Sequence, residues 1–160
     1  MKDKTLYLTR SALIAALYVA LTCISNALGL ASGAIQVRIS EALCVLPALM
    51  PSAVSGVTVG CLIFNVIFSG NPLDMIFGTL ATLIGALGAL LFKKRPYLAS
   101  IPTIISNAVI IPFVIALGTS DGQLVSVPFY MLTVGLGELI SCGILGAILI
   151  GAMKKVKLHK

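Results

Sequence analysis

Read for apolar and polar positions, the chain is a series of apolar runs separated by short polar breaks. The first run, Leu6 to Leu30, is long enough to cross a bilayer as a helix, which takes about 20 residues. Asn26, Gly29, Ser32 and Gly33 end it and open a loop. The second run, Gln36 to Met50, is short: about 15 residues rise only about 22 Å as an α-helix, against a hydrocarbon core of about 30 Å. Pro47 and Pro51 punctuate its end. Four more runs follow: Ser52 to Ser69, Leu73 to Phe92, Tyr97 to Leu117 and Val127 to Met153. The pattern predicts six membrane-spanning helices. Pro128 stands at the start of the last, where a missing N–H does no harm. Pro112 is expected to kink the fifth.

Composition agrees. Of 160 residues, 59% are hydrophobic and 10% charged, where soluble domains carry about 25% charged residues. The length suits one integral membrane domain over residues 1–160. The net charge of +6 is unevenly placed. Lys2, Lys4 and Arg10 lie at the start, Lys93, Lys94 and Arg95 in one break, and Lys154, Lys155, Lys157 and Lys160 at the end. By the positive-inside rule these clusters are cytoplasmic. Six spans satisfy all three, with both termini inside. The clusters are too short and scattered for a nucleic-acid surface. The opening run outlasts the apolar core of a signal peptide, so a retained span is expected. Tyr7, Phe92 and Tyr97 then fall at the inner interface, and Phe68, Phe129 and Tyr130 at the outer one.

Small residues mark where helices approach closely. Gly56 and Gly60 form a GxxxG in the third run. Ala12, Ala16 and Ala20 make a smooth strip on the first. Thr58, Cys61, Asn65 and Ser69 follow helical spacing and are expected to face the interior. Cys23, Cys44, Cys61 and Cys142 lie in apolar runs without metal-site spacing and read as buried small residues. His159 is the single histidine and lies in the basic tail. No metal or cofactor is called for.

A charge inside the bilayer costs about 2.5–3.5 kcal/mol on insertion scales, so the polar residues within the spans are candidate chemistry. On the six-span topology Arg38, Glu41, Asn65, Asp74 and Asp121 fall towards the outer side, and Glu138 near the midplane. Asn107 is the one amide in mid-span of the fifth helix. Arg38 and Glu41, three residues apart, either pair along one helix face or reach a ligand. Asp74 suits the positive end of a helix dipole, and Asp121 suits a solvated loop. Glu138 has no cation within a helical turn, which makes it the first candidate for ligand contact. The expected substrate site is Glu138, Glu41, Arg38, Asp74, Asn65 and Asn107, in a pocket open to the outside. Carboxylates accept paired hydrogen bonds. A ligand rich in donors fits, such as a guanine-like edge, and so does a cationic one. Phe64, Phe68, Phe129 or Tyr130 would supply a stacking face.

Four stretches carry a resemblance: QVRISEAL (Gln36 to Leu43), GVTVGCLIFN (Gly56 to Asn65), LDMIFGTLAT (Leu73 to Thr82) and VGLGE (Val134 to Glu138). In order, they span most of the chain. The chain resembles the QueT family of queuosine-precursor transporters, the substrate-binding S components of energy-coupling-factor (ECF) transporters. The resemblance implies a six-helix S-component bundle in the cell membrane, with both termini cytoplasmic. It implies a site near the outer surface for a queuine-like 7-deazaguanine base. It also implies a transmembrane coupling subunit and two cytoplasmic ATPases as partners, with Ala12, Ala16 and Ala20 as the docking strip. The chain has no G-x-x-x-x-G-K-[ST] motif, so any ATP hydrolysis belongs to another chain.

Two other classes compete. A self-sufficient secondary transporter or channel would need charges along an inner path too, and the sequence places none there. A membrane enzyme would use Asp74 and Glu138 as an acid/base pair, but nothing supplies a nucleophile or a metal.

Overall fold

The computed structural model describes residues 2–30, 37–69, 71–118 and 124–158, and all their regular structure is helical. Helix α1 (Lys2–Ala27) has no interior Gly or Pro. It stops at Gly29, whose φ of 70° is the left-handed geometry of a helix-ending glycine. The N–H of Leu30 donates back to the Ser25 carbonyl at 3.0 Å. The Leu30 carbonyl in turn accepts the Val37 N–H at 2.9 Å, so the chain re-enters beside the end of α1.

The second run is a ten-residue 3₁₀ segment, Ile39–Ala48, with Pro47 inside it. Runs of 3₁₀ helix longer than three or four residues are uncommon, and each residue rises about 2.0 Å. This run therefore reaches about 20 Å where an α-helix of equal length would reach about 15 Å. Every residue from Ser40 to Ala48 is buried. The short segment needs no lipid-facing length, because the rest of the bundle surrounds it. Its Leu43, Cys44, Val45, Leu46 and Ala48 form the middle of the core, with Tyr18, Val57, Ala86 and Ile150 from the surrounding helices.

Helix α2 (Ser52–Phe64) continues into a π turn, Asn65–Ser69. A second π turn, Asp74–Gly78, opens α3 (Thr79–Ala89), which ends in a 3₁₀ turn at Leu90–Phe92. Another 3₁₀ turn, Pro96–Leu98, leads to α4 (Ser100–Gly118), which runs through Pro112. Helix α5 (Val127–Glu138) passes through a third π turn, Leu139–Leu145, into α6 (Gly146–Leu158). Among the described residues, four helical stretches are long and apolar enough to cross a membrane: Asp3–Ala27, Asp74–Phe92, Pro96–Gly118 and Val127–Lys155. Ile39–Ala48 and Ser52–Phe68 are shorter apolar helices.

Large apolar side chains point outward: Leu13, Ile67, Ile84, Ile105, Leu132 and Ile148 are each more than half exposed. Thr22, Ser40, Glu41, Asn65, Thr103 and Ser141 are buried. An apolar exterior with polar groups kept inside suits a bilayer as solvent.

The GxxxG of α2 packs on α1. A methyl group added at Gly60 would come within 2.7 Å of Tyr18 Cβ and 2.9 Å of the Ala15 carbonyl oxygen. At Gly56 it would meet Ile14 Cβ at 2.8 Å. Gly60→Val is expected to cost about 2 kcal/mol or more through overpacking, read as a lower thermal midpoint of the purified protein. Gly151→Ala, where nothing lies within 4 Å of the added carbon, leaves the midpoint in place. Equal midpoints for the two variants would reject this packing.

The ends of the bundle follow from a few contacts. The Arg38 guanidinium lies 3.9 Å from the Asp74 carboxylate, so the 3₁₀ segment and the Asp74–Phe92 stretch start at one end. Val37 brings the end of α1 to the same place. Lys4, Arg10 and the Lys93–Arg95 cluster therefore lie at the opposite end. Lys154 joins them there, its Nζ 4.4 Å from the centre of the Tyr97 ring.

Candidate functional site

Helices that carry buried polar groups must satisfy them from within the bundle. Four such groups, Glu41, Thr82, Asn107 and Glu138, line a small cavity with Arg38, Gly78, Ile111 and Val134. Its position follows from the helices. Asn107 lies mid-way along α4 and Glu138 at the end of α5, so they form the deep side. Ile111 and Val134 lie one turn nearer the Arg38 end.

The deep side is a pair of acceptors. Glu138 is 7% exposed and Asn107 3%. A carboxylate only accepts, so Asn107 turns its amide nitrogen to it and donates to Glu138 Oε1 at 2.8 Å. That leaves Asn107 Oδ1 and Glu138 Oε2 buried without a partner. An unpaired buried acceptor costs about 1–3 kcal/mol. Both residues line the cavity, and ligand donors that reached the two oxygens would satisfy them.

Glu41 forms the wall on the 3₁₀ side and is 1% exposed. Its Oε1 accepts from the Tyr18 hydroxyl and its Oε2 from the Cys44 thiol at 3.1 Å. It does not pair with Arg38. Arg38 turns instead to Asp74. Of the two alternatives open from sequence, the helix-face pair is thus excluded, and each residue has its own partner.

Asn65 stands behind Asp74. Its Nδ2 donates to the Asp74 carbonyl at 3.1 Å, and its Oδ1 is buried without a partner. Gly78 keeps this corner open: an added methyl would lie 2.7 Å from Asp74 Oδ1 and 3.1 Å from Asn65 Nδ2. The Thr82 hydroxyl is 3.2 Å from the Gly78 carbonyl and 3.3 Å from Cys61 Sγ. Asn65 and Asp74 open the first two π turns, and Glu138 precedes the third. Single π turns widen a helix locally and recur at functional sites.

Of the six candidate residues, Arg38, Glu41, Asn107 and Glu138 line the cavity, Asp74 reaches it through Arg38, and Asn65 supports Asp74. Asp121 and Gln36 lie outside the described residues. The expected stacking rings are elsewhere. None of Phe64, Phe68, Phe129 and Tyr130 lines the cavity; Phe64 stacks on Phe68 at 4.9 Å. The apolar side chains that line it are the aliphatic Ile111 and Val134. Of the polar stripe on α2, Cys61 and Asn65 are buried, whereas Thr58 is half-buried and donates to its own helix at Val54. Tyr18 was not among the candidates, although its hydroxyl needed a partner once its ring lay inside a bundle. Ala12, Ala16 and Ala20 are exposed. They lie about 160° round α1 from Tyr18 at 3.6 residues per turn, so that helix has a site face and a free face.

The cavity volume is about 20 Å³, room for about one water-sized group, whereas small-molecule sites begin at roughly 300 Å³. A molecule of that size would enter only if the walls parted. A larger groove of about 250 Å³ between Leu73, Phe77 and the Val109–Leu117 face is lined by apolar side chains and offers a polar ligand nothing.

Over 94 residues the chain is 38% identical to the queuosine precursor transporter QueT of Lactococcus lactis subsp. cremoris (strain MG1363). That stretch covers 58% of this chain and 55% of the relative, so the chain spans about half of that protein's length. No solved structure matches significantly. The profile described as QueT transporter matches residues 8–155, nearly the whole chain, and the chain belongs to that family.

Proposed function

We propose that this chain is the substrate-binding membrane subunit of an ATP-driven importer, taking up a queuosine precursor such as queuine. The observation that carries the reading is the deep side of the cavity, where Glu138 Oε2 and Asn107 Oδ1 are buried without partners. The pyrimidine edge of a 7-deazaguanine presents a ring N–H beside an exocyclic amine, two donors to set against the two unpaired acceptors. The relative named as a queuosine precursor transporter supports the same ligand class.

In this reading all six apolar stretches cross the cell membrane. Lys4, Arg10, Lys93–Arg95 and Lys154 share one end of the bundle, and the positive-inside rule makes that end, and with it both termini, cytoplasmic in this reading. The Arg38–Asp74 rim then faces outward, and the cavity lies between it and the midplane. Ligand enters there, the rim closes, and α1 docks through Ala12, Ala16 and Ala20 on a transmembrane coupling subunit driven by two cytoplasmic ATPases. The subunit reorients and releases the base inside. The chain performs no reaction on it.

The test is to purify the protein from cells, identify any co-purifying ligand by mass spectrometry, and titrate the emptied protein with queuine in a calorimeter. A 7-deazaguanine in the first measurement and saturable heat in the second are expected. Absence of heat with queuine would overturn the ligand class. Accumulation of queuine by the chain alone in liposomes, driven by an ion gradient, would replace the importer subunit by a secondary transporter.

A further inference from the structure

Helix α1 is fastened to the cavity wall by side chains on one face. The Tyr18 hydroxyl donates to Glu41 Oε1. One turn on, Thr22 Oγ1 lies 2.7 Å from Ser40 Oγ. One turn further, Ser25 Oγ accepts the Ile39 N–H at 2.9 Å. Spacings of four and three put these residues in a single row. The opposite face of the same helix carries the exposed Ala12, Ala16 and Ala20.

We propose that α1 carries the state of the cavity to the free face of the helix, with Tyr18 as the positioning residue that couples them. The proposal rests on the substrate role of the cavity given above. A base cannot enter a space of about 20 Å³ unless a wall moves. The wall bearing Arg38 and Glu41 is the 3₁₀ segment, whose first three residues are those tied to α1. Tyr18 cannot absorb the movement alone. It is fully buried, and Gly60 is packed so closely on its Cβ that an added carbon there would lie 2.7 Å away. A shift of Glu41 therefore either moves α1 or breaks the Tyr18 bond. In both cases the environment of the Tyr18 ring changes when ligand binds. Arrival of substrate is thus communicated to the surface on which the coupling subunit is proposed to dock.

The chain has four tyrosines, Tyr7, Tyr18, Tyr97 and Tyr130, so fluorine NMR of protein labelled with 3-fluorotyrosine resolves the matter. Tyr7→Phe, Tyr97→Phe and Tyr130→Phe assign the Tyr18 resonance by elimination, whether or not Tyr18→Phe folds. Saturating queuine is expected to shift the Tyr18 resonance and to leave that of Tyr97, at the opposite end, in place. In cells expressing the complete importer, Tyr18→Phe is expected to lower the maximal uptake rate at saturating queuine at least fivefold. Calorimetric heat with an unmoved Tyr18 resonance overturns this proposal and leaves the substrate reading standing. An unchanged maximal rate in a folded Tyr18→Phe protein overturns it equally. Absence of heat with queuine overturns the substrate reading, and this proposal with it.

Discussion

Glu138→Gln is expected to weaken queuine binding by tenfold to a hundredfold, measured by calorimetry on the purified protein. The magnitude follows from the loss of a hydrogen bond to a charged group, about 1.5–3 kcal/mol. Glutamine keeps the length and an oxygen for the Asn107 amide, which donates to Oε1 at 2.8 Å. It replaces the unpartnered Oε2 with an NH₂ group. A donor then meets the donor edge of the base, so the change removes an attraction and adds a repulsion. Folding should not suffer, because a buried carboxylate without a cation is itself costly. The ligand-free thermal midpoint is expected to stay or rise. Asp121→Asn, outside the described residues, is expected to change binding by less than twofold. Equal and small changes for both variants would reject a site centred on Glu138.

Most of the helical layout is legible in the residues. Runs of apolar side chains bounded by Gly, Pro and charge correspond to helices within a few residues, because a backbone in lipid has few alternatives to helix. What escaped is where a run leaves the α form. The Gln36–Met50 run is short for a span at an α rise, and its 3₁₀ part, Ile39–Ala48, reaches only about 20 Å, still less than the hydrocarbon core. Its 3₁₀ form and its burial from Ser40 to Ala48 depend on the helices packed around it, and local sequence does not encode them. The π turns at Asn65, Asp74 and Leu139 are equally tertiary. The GxxxG was readable as a close contact but not as a contact with Tyr18 in particular.

The site was legible wherever burial alone marked it. Glu41, Asn107 and Glu138 stand out because a polar group in an apolar run needs a reason. Pairing was not legible. Arg38 and Glu41 are neighbours in sequence, yet Arg38 reaches Asp74, 36 positions away, and Glu41 is held by Tyr18 of α1. Aromatic residues misled for a related reason. Phe64 and Phe129 are apolar within apolar runs, so nothing in the pattern separates a ring that stacks on ligand from one that stacks on Phe68 or faces lipid.

Ala16→Trp is expected to abolish queuine uptake in cells while leaving the dissociation constant of the isolated protein within about twofold. Two features of α1 require the effects to separate. Ala16 is exposed, on the side of the helix away from Tyr18 and Glu41, so an indole there reaches neither cavity nor core. Lipid chains accommodate it as they accommodate the exposed Leu13 and Leu17 on either side. A second helix packed on the strip cannot, because small residues permit backbones to approach within a side-chain-free distance that an indole exceeds. Ala12 and Ala20 lie one turn to either side, so the clash falls at the centre of the strip. Ile148→Trp, an exposed position on α6, controls for added bulk in the membrane and is expected to leave uptake intact. Normal uptake by Ala16→Trp would show that this face of α1 meets only lipid, and the partner surface would have to be sought elsewhere on the bundle. Loss of both uptake and binding would show instead that the substitution perturbs α1 itself, through the same row of contacts that ties Tyr18, Thr22 and Ser25 to the 3₁₀ segment.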